Sequence, residues 1–199
     1  MANKPTVFLV DDDPGALRSL SWLIQQADLP VRAFHSGREF LESYRSEDAG
    51  CLLLDVRMPE VDGLEVHRRM KEQGIGLPVI FVTAHGDVPT CVRALQGGAV
   101  NFLEKPVDTQ ALLDHIRKAL ARDAEQRAFA GRLRRLTPRE KDVLDMLIAG
   151  KSLKEIAAVS NVTVQTIWKQ RLAIYKKTGV ENDVELVRFA SEGAGQRRP

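Results

Sequence analysis

The sequence is short of cysteine and of long apolar runs, and each shortage removes a class of protein. Two cysteines in 199 residues make no disulfide framework, so a reducing, cytoplasmic location is the expectation. No apolar stretch approaches the roughly 18 residues of a membrane-spanning helix, and the opening MANKP lacks a signal-peptide core. The four histidines, His35, His67, His85 and His115, show no metal-ligand spacing, and zinc is not indicated. Internal repeats are absent. With 44% apolar and 28% charged residues the chain is nonetheless of ordinary globular composition rather than disordered.

A net charge of +2 says nothing about partners until it is divided. Residues 1–124 carry 14 Lys+Arg against 18 Asp+Glu, a net of −4, and residues 125–199 carry 15 against 9, a net of +6. An acidic part joined to a basic part predicts different partners for each. The stretch at 119–135 (ALARDAEQRAFAGRLRR) has many charges, no strong apolar stripe and Gly131, and it reads as a solvated helical linker.

The first part alternates between strand and helix. Short apolar runs recur at 6–10 (TVFLV), 31–34, 51–54 (CLLL), 79–82 (VIFV) and 101–103, as in strands buried on both faces of a parallel sheet. Helices are expected after Asp13-Pro14, with Leu17, Leu20, Ile24 and Ala27 on one face, after Pro59, with Leu64, Val66, His67 and Met70, and over 89–96 and 109–120. Five β-α units predict a doubly wound, five-stranded parallel α/β sheet. Trp22 is assigned to core or packing surface, and Cys51 to a buried thiol. Cys91 falls on the helix at 89–96.

Ligands of such sheets sit at the carboxyl ends of the strands. There stand Asp11, Asp12 and Asp13, then Asp55, then Thr83 and Ala84, then Lys105 and Pro106. Clustered carboxylates raise one another's pKa unless a cation joins them, and short acidic loops of hard oxygen ligands suit Mg²⁺. Asp55 could then attack a phosphoryl group to give an acyl phosphate, with Thr83 and Lys105 binding its oxygens. Asp13 reads as a helix cap.

The second part changes period. Thr137-Pro-Arg-Glu140 and Ser152-Leu-Lys-Glu155 are capping boxes, Gly150 ends the first helix, and Thr163 caps a third over 164–177 that Gly179 closes. Asn182 or Asp183 opens a fourth. Two short helices joined by a tight turn suggest a helix-turn-helix. On 164–177, Ile167, Ile174 and Thr178 face the core, while Gln165, Trp168, Lys169, Leu172 and Lys176 project elsewhere. That partly apolar, basic face suits phosphates and thymine methyls.

The segments VFLVDDDP, LLLDVRMPEVDG, VIFVTAHGD and FLEKP resemble the receiver domain of two-component response regulators over residues 5–120. The run LTPREKDVLDMLIAGKSLKEIA…TVQTIWKQRLAIYKKTGV resembles the LuxR-type DNA-binding domain over 136–188, and the whole chain is similar to regulators of the FixJ/NarL type, the FixJ branch above all. The resemblance implies a flavodoxin-like receiver at 1–120, a linker at 121–135, a four-helix helix-turn-helix domain at 136–192 and a disordered tail at 193–199. It implies Asp55 as phosphoacceptor, Asp11, Asp12, Asp55 and the Arg57 carbonyl as Mg²⁺ ligands, and Lys105 as phosphate binder. It also implies Thr83 and Phe102 as a coupled switch and a cis bond before Pro106. Partners implied are a sensor histidine kinase, double-stranded DNA, a second copy on phosphorylation and RNA polymerase.

Departures from the LuxR-type pattern fall at Leu153, usually Asn, Ser160, usually Leu, and Gln170, usually His. Gln170 joins the candidate DNA contacts, and Ser160 is expected to loosen packing against the recognition helix. They keep open a second reading, a phosphoryl sink whose DNA domain is vestigial. Haloacid-dehalogenase-type phosphatases also use a nucleophilic Asp with Mg²⁺, but their second Asp is here Arg57, so an enzyme turning over an external substrate is not expected. Arg57 and His85, flanking the site, are expected to tune slow self-hydrolysis.

Overall fold

The computed structural model describes residues 4–84 and 86–194 and divides into two compact units, residues 1–125 and 126–199. In the first unit strands β1 (Thr6–Val10), β2 (Val31–Phe34), β3 (Gly50–Leu54), β4 (Val79–Thr83) and β5 (Asn101–Glu104) form one parallel sheet in the order β2-β1-β3-β4-β5. Helices α1 (Pro14–Gln26), α2 (Gly37–Ser43), α3 (Gly63–Glu72), α4 (Val88–Gln96) and α5 (Thr109–Arg134) alternate with the strands.

The period-two alternation of the strands sorts their side chains into two cores. Phe8, Val10, Leu52, Leu54 and Phe81 face one side with Phe40, Val66 and Met70 of α2 and α3. Val7, Leu9, Cys51, Leu53, Ile80 and Val82 face the other with Ile24 of α1 and Leu112 and Ile116 of α5. Both faces being covered, the central strands read as unbroken apolar runs. Burial pushes the Cys51 thiol up to about 12, with the Asp123 carboxylate adding to it, so it stays an inert SH.

Two expectations change and a third is sharpened. A helix, α2, lies between β2 and β3; its signal was Ser36-Gly-Arg-Glu39, where the Ser36 hydroxyl accepts from the Glu39 amide and Glu39 accepts from the His35 amide. Trp22 is 66% exposed rather than core, because α1 buries Leu17 and Ile24 on its other side. And the stretch at 121–135 is helical to Arg134, as expected, and mostly exposed or half-buried, but Asp123 within it is buried. Helix α5 runs unbroken from Thr109 to Arg134, and Asp123 accepts a hydrogen bond from the Gly50 amide at 2.9 Å.

In the second unit α6 (Pro138–Ile148), α7 (Leu153–Val159), α8 (Val164–Thr178) and α9 (Asp183–Ala194) enclose Leu136, Val143, Leu144, Ile156, Ile167, Ile174 and Leu186. Leu133 of α5 packs on this core, the Phe129 ring lies 4.4 Å from that of Phe189, and the Arg132 guanidinium covers Phe189. Both capping boxes form, Asn182 caps α9, and Gly179 takes the left-handed conformation that ends α8. The disorder expected of the tail lies outside the described residues from 195 onward, and Gly193 and Ala194 belong to α9.

Candidate functional site

The topology dictates where chemistry can gather. Strand order reverses between β1 and its two neighbours, which opens a crevice at their carboxyl ends. The register pairs Val10 with Leu54, so Asp11 and Asp55 leave adjacent strands side by side, and the Asp55 amide donates to the Val10 carbonyl at 2.9 Å. On the far strands Thr83 pairs with Glu104, and the Lys105 amide donates to the Thr83 carbonyl at 2.8 Å. The bond between Lys105 and Pro106 is cis.

Lys105 Nζ lies 2.5 Å from Asp11 Oδ2 and 3.1 Å from Asp55 Oδ1. The other oxygens accept from the backbone, Asp11 Oδ1 from the Asp13 amide at 3.0 Å and Asp55 Oδ2 from the Arg57 amide at 2.6 Å. Both carboxylates and Thr83 are buried. Burial first, then the Asp11 charge, pushes the Asp55 carboxyl up, and the Lys105 ammonium only partly opposes this. Burial by itself would lower Lys105; its two carboxylates overcome that and raise it.

Two carboxylates on one ammonium leave a negative charge uncompensated, and each oxygen retains a lone pair beyond its one donor. Mg²⁺, which takes one or two carboxylates and fills its shell with carbonyl and water oxygens, fits this donor set. Asp12 does not join the pair. It is exposed, and among the described residues no three His, Cys, Asp or Glu side chains converge as a metal cluster. Asp13 caps α1 by accepting from the Gly15 amide at 2.8 Å, and His85 lies outside the described residues.

Gly63, which opens α3, was not singled out from the sequence. A Cβ there would stand 2.1 Å from the Asp55 carbonyl oxygen, so only glycine lets α3 start against the backbone that presents Asp55. Its signal was the Asp62-Gly63 pair, of which Asp62 caps α3. Phe102 is half-buried, its ring 6.3 Å from that of Phe81. Beyond it α4 exposes Val88, Val92 and Leu95, one helical face of apolar residues.

In the second unit Gln165, Trp168, Lys169, Leu172 and Lys176 are all exposed, and their spacing places them on one stripe of α8. Gln170 does not join them. It is half-buried on a different face and, with Arg139, Met146, Ser160 and Val162, lines a groove of about 560 Å³. Helix α8 is fixed from behind by Tyr175 and Arg171, which the sequence reading passed over. The Tyr175 hydroxyl donates to Asp183 Oδ1 at 2.5 Å, and Arg171 pairs with the same carboxylate at 2.8 Å. Glu140 anchors the same, carboxyl-terminal end of α8 through Lys177. Although burial alone would raise its carboxyl, the Lys177 ammonium at 2.6 Å and the Thr137 amide hold it low.

A parallel sheet with paired carboxylates and a lysine on its rim, followed by a capped helix-turn-helix, defines a class, and family comparison agrees with it. Residues 7–117 match the response regulator receiver domain and residues 134–190 the bacterial regulatory proteins of the luxR family; the chain belongs to the two-component response regulators that regulate transcription, and not to the enzymes acting on external substrates. Among its relatives, the transcriptional regulatory protein TdiR of Thauera aromatica is 37% identical over 96% of this chain and 88% of its own length. The transcriptional regulatory protein FixJ of Bradyrhizobium diazoefficiens is 38% identical over 96% of both. Among solved structures, the response regulator StyR superposes with a TM-score of 0.61 at 38% identity, covering 96% of this chain and all of its own.

Proposed function

We propose that Asp55 accepts a phosphoryl group from a sensor histidine kinase and that the acyl phosphate switches the chain to a DNA-binding dimer. The observation that carries this is Lys105 Nζ bridging Asp11 and Asp55 at the carboxyl edge of the sheet. A carboxylate oxygen of Asp55 attacks phosphorus; the new O–P bond forms as the bond from phosphorus to the donor's imidazole nitrogen breaks, and the electron pair leaves with the imidazole. Lys105 and the Thr83 hydroxyl bind the equatorial oxygens of the transferred group. Asp11, Asp55 and the Arg57 carbonyl would hold Mg²⁺, with exposed Asp12 beside them, and the ion would supply charge neutralisation to the phosphoryl oxygens.

Thr83, drawn to the phosphoryl oxygens, vacates space that Phe102 fills by turning inward, and the face made by α4 and β5 changes shape. Two copies then pair, and each lays α8 in a major groove, Lys169 and Lys176 on phosphates and Gln165, Trp168 and Leu172 on base edges. RNA polymerase is the onward contact. Among the described residues no helix is long and apolar enough to cross a membrane, and a DNA partner assigns the chain to the cytoplasm. The test is phosphoryl transfer from an acyl phosphate in the presence of Mg²⁺. Wild type acquires an acid-stable, hydroxylamine-labile phosphoryl group and Asp55→Asn does not; equal labelling of both would refute the assignment.

A further inference from the structure

The DNA-facing stripe of α8 is apolar at its centre. Trp168 is 49% exposed and Leu172 44%, with Val164 exposed beside them, although a solvated helix face would carry charge there. Trp168 is the largest exposed apolar side chain among the described residues of the second unit. The charges stand at the margin instead: Lys169 beside Trp168, and Lys176 one turn beyond Leu172.

This pattern limits what the helix can read. Guanine is read in the major groove by Arg or Lys and adenine by Asn or Gln, and the C5-methyl of thymine by apolar side chains. Trp168 and Leu172 have no group that can engage the acceptors of a purine with two hydrogen bonds, and Leu172 has no polar atom at all. They stand one helical turn apart, a rise of about 6 Å, against about 3.4 Å per base step along a strand. Two large apolar contacts therefore fall about two base steps apart, flanked by cations that suit phosphates.

Resting on the DNA-binding reading of α8, we infer that Trp168 and Leu172 are the specificity-determining residues of this chain and that they recognise thymine C5-methyl groups in duplex DNA. Gln165, at the amino end of the stripe, adds an adenine contact. The half-site is thus selected by methyl groups and shape more than by hydrogen bonds to guanine.

The test uses the full chain, with an acyl phosphate donor and Mg²⁺. Sequences selected from a random duplex pool are resynthesised with deoxyuridine in place of thymidine at one position at a time. Each contacted thymine is expected to lose about fourfold in affinity with its methyl, the worth of one buried methylene-sized group. Leu172→Ala, at an exposed position the fold does not need, should abolish that difference at one thymine and leave it at the other. Salt-dependent binding with equal affinity for thymidine and deoxyuridine everywhere overturns this inference alone. Absence of salt-dependent duplex binding overturns the DNA-binding reading with it. Methyl-blind binding together with loss of self-association in Leu172→Ala assigns the stripe to a second copy and also overturns the inference.

Discussion

The Lys105 ammonium reaches from the end of β5 to Asp11 at the end of β1, three strands away in the sheet, and stops 2.5 Å from its Oδ2. On the way it meets Asp55. One cation thereby holds together the ends of three strands and leaves its two carboxylates undercompensated. Replacing it by Met keeps the stem and removes the charge. Lys105→Met is expected to cost about 2 kcal/mol of receiver stability at neutral pH, less than a fully buried pair because the lysine is partly exposed. Urea unfolding with and without Mg²⁺ checks this, and the ion should recover more stability in the variant than in wild type.

The Asp55 carboxyl is raised on folding by burial and by Asp11, so the folded state holds its proton more tightly than the unfolded chain. That contribution is full below the ordinary carboxylate range and is lost as pH rises through the folded value. Asp55→Asn cannot ionise. Its stability relative to wild type should therefore grow from about pH 4, the ordinary carboxylate range, and level off once pH has passed the raised folded value, and Mg²⁺ should narrow the gap. Urea midpoints of the pair across that range decide it.

Gly63→Ala puts a Cβ against the Asp55 carbonyl oxygen. The collision is with backbone, so either α3 or the Asp55 loop must shift, at about 1–3 kcal/mol. The expected result is a chain that still folds but takes up phosphoryl groups from an acyl phosphate more slowly than wild type. Gly131→Ala, inside α5 where an added Cβ meets nothing, controls for the change of helix propensity and should leave phosphoryl uptake unchanged.

Much of this was readable in the residues, for reasons that differ by element. The five strands showed as unbroken apolar runs because both sheet faces are covered, and the caps of α1, α6, α7 and α8 showed because one side chain satisfies a local amide. Helix α2, as short as α7, carries the same Ser-x-x-Glu signal at Ser36 and Glu39, so its cap was legible where a periodic stripe was not. Asp11, Asp55 and Lys105 followed from their strand ends, whereas Asp12 and Gln170 looked equivalent to their neighbours and the structure sets them apart. The Asp123–Gly50 bond spans 73 residues and has no local signature, so the sequence alone does not show that α5 is tied to β3 beyond residue 120.

Lys169 and Lys176 are exposed and have been assigned phosphates. Removing either by Ala should weaken binding to all duplexes alike and lessen the slope of log affinity against log salt by about 0.9. Titrations at several salt concentrations, on selected and unrelated duplexes, measure this. A change confined to one sequence would reassign the lysine to a base edge.

Control of DNA binding by phosphorylation at Asp55 can be read from one titration. It is tested most directly by the affinity of the full chain for its selected duplex, with and without an acyl phosphate donor and Mg²⁺, in wild type and Asp55→Asn. The donor is expected to tighten binding and shift the protein to a dimer in wild type alone. An equal response of both proteins, or none in wild type carrying the phosphoryl group, would contradict it.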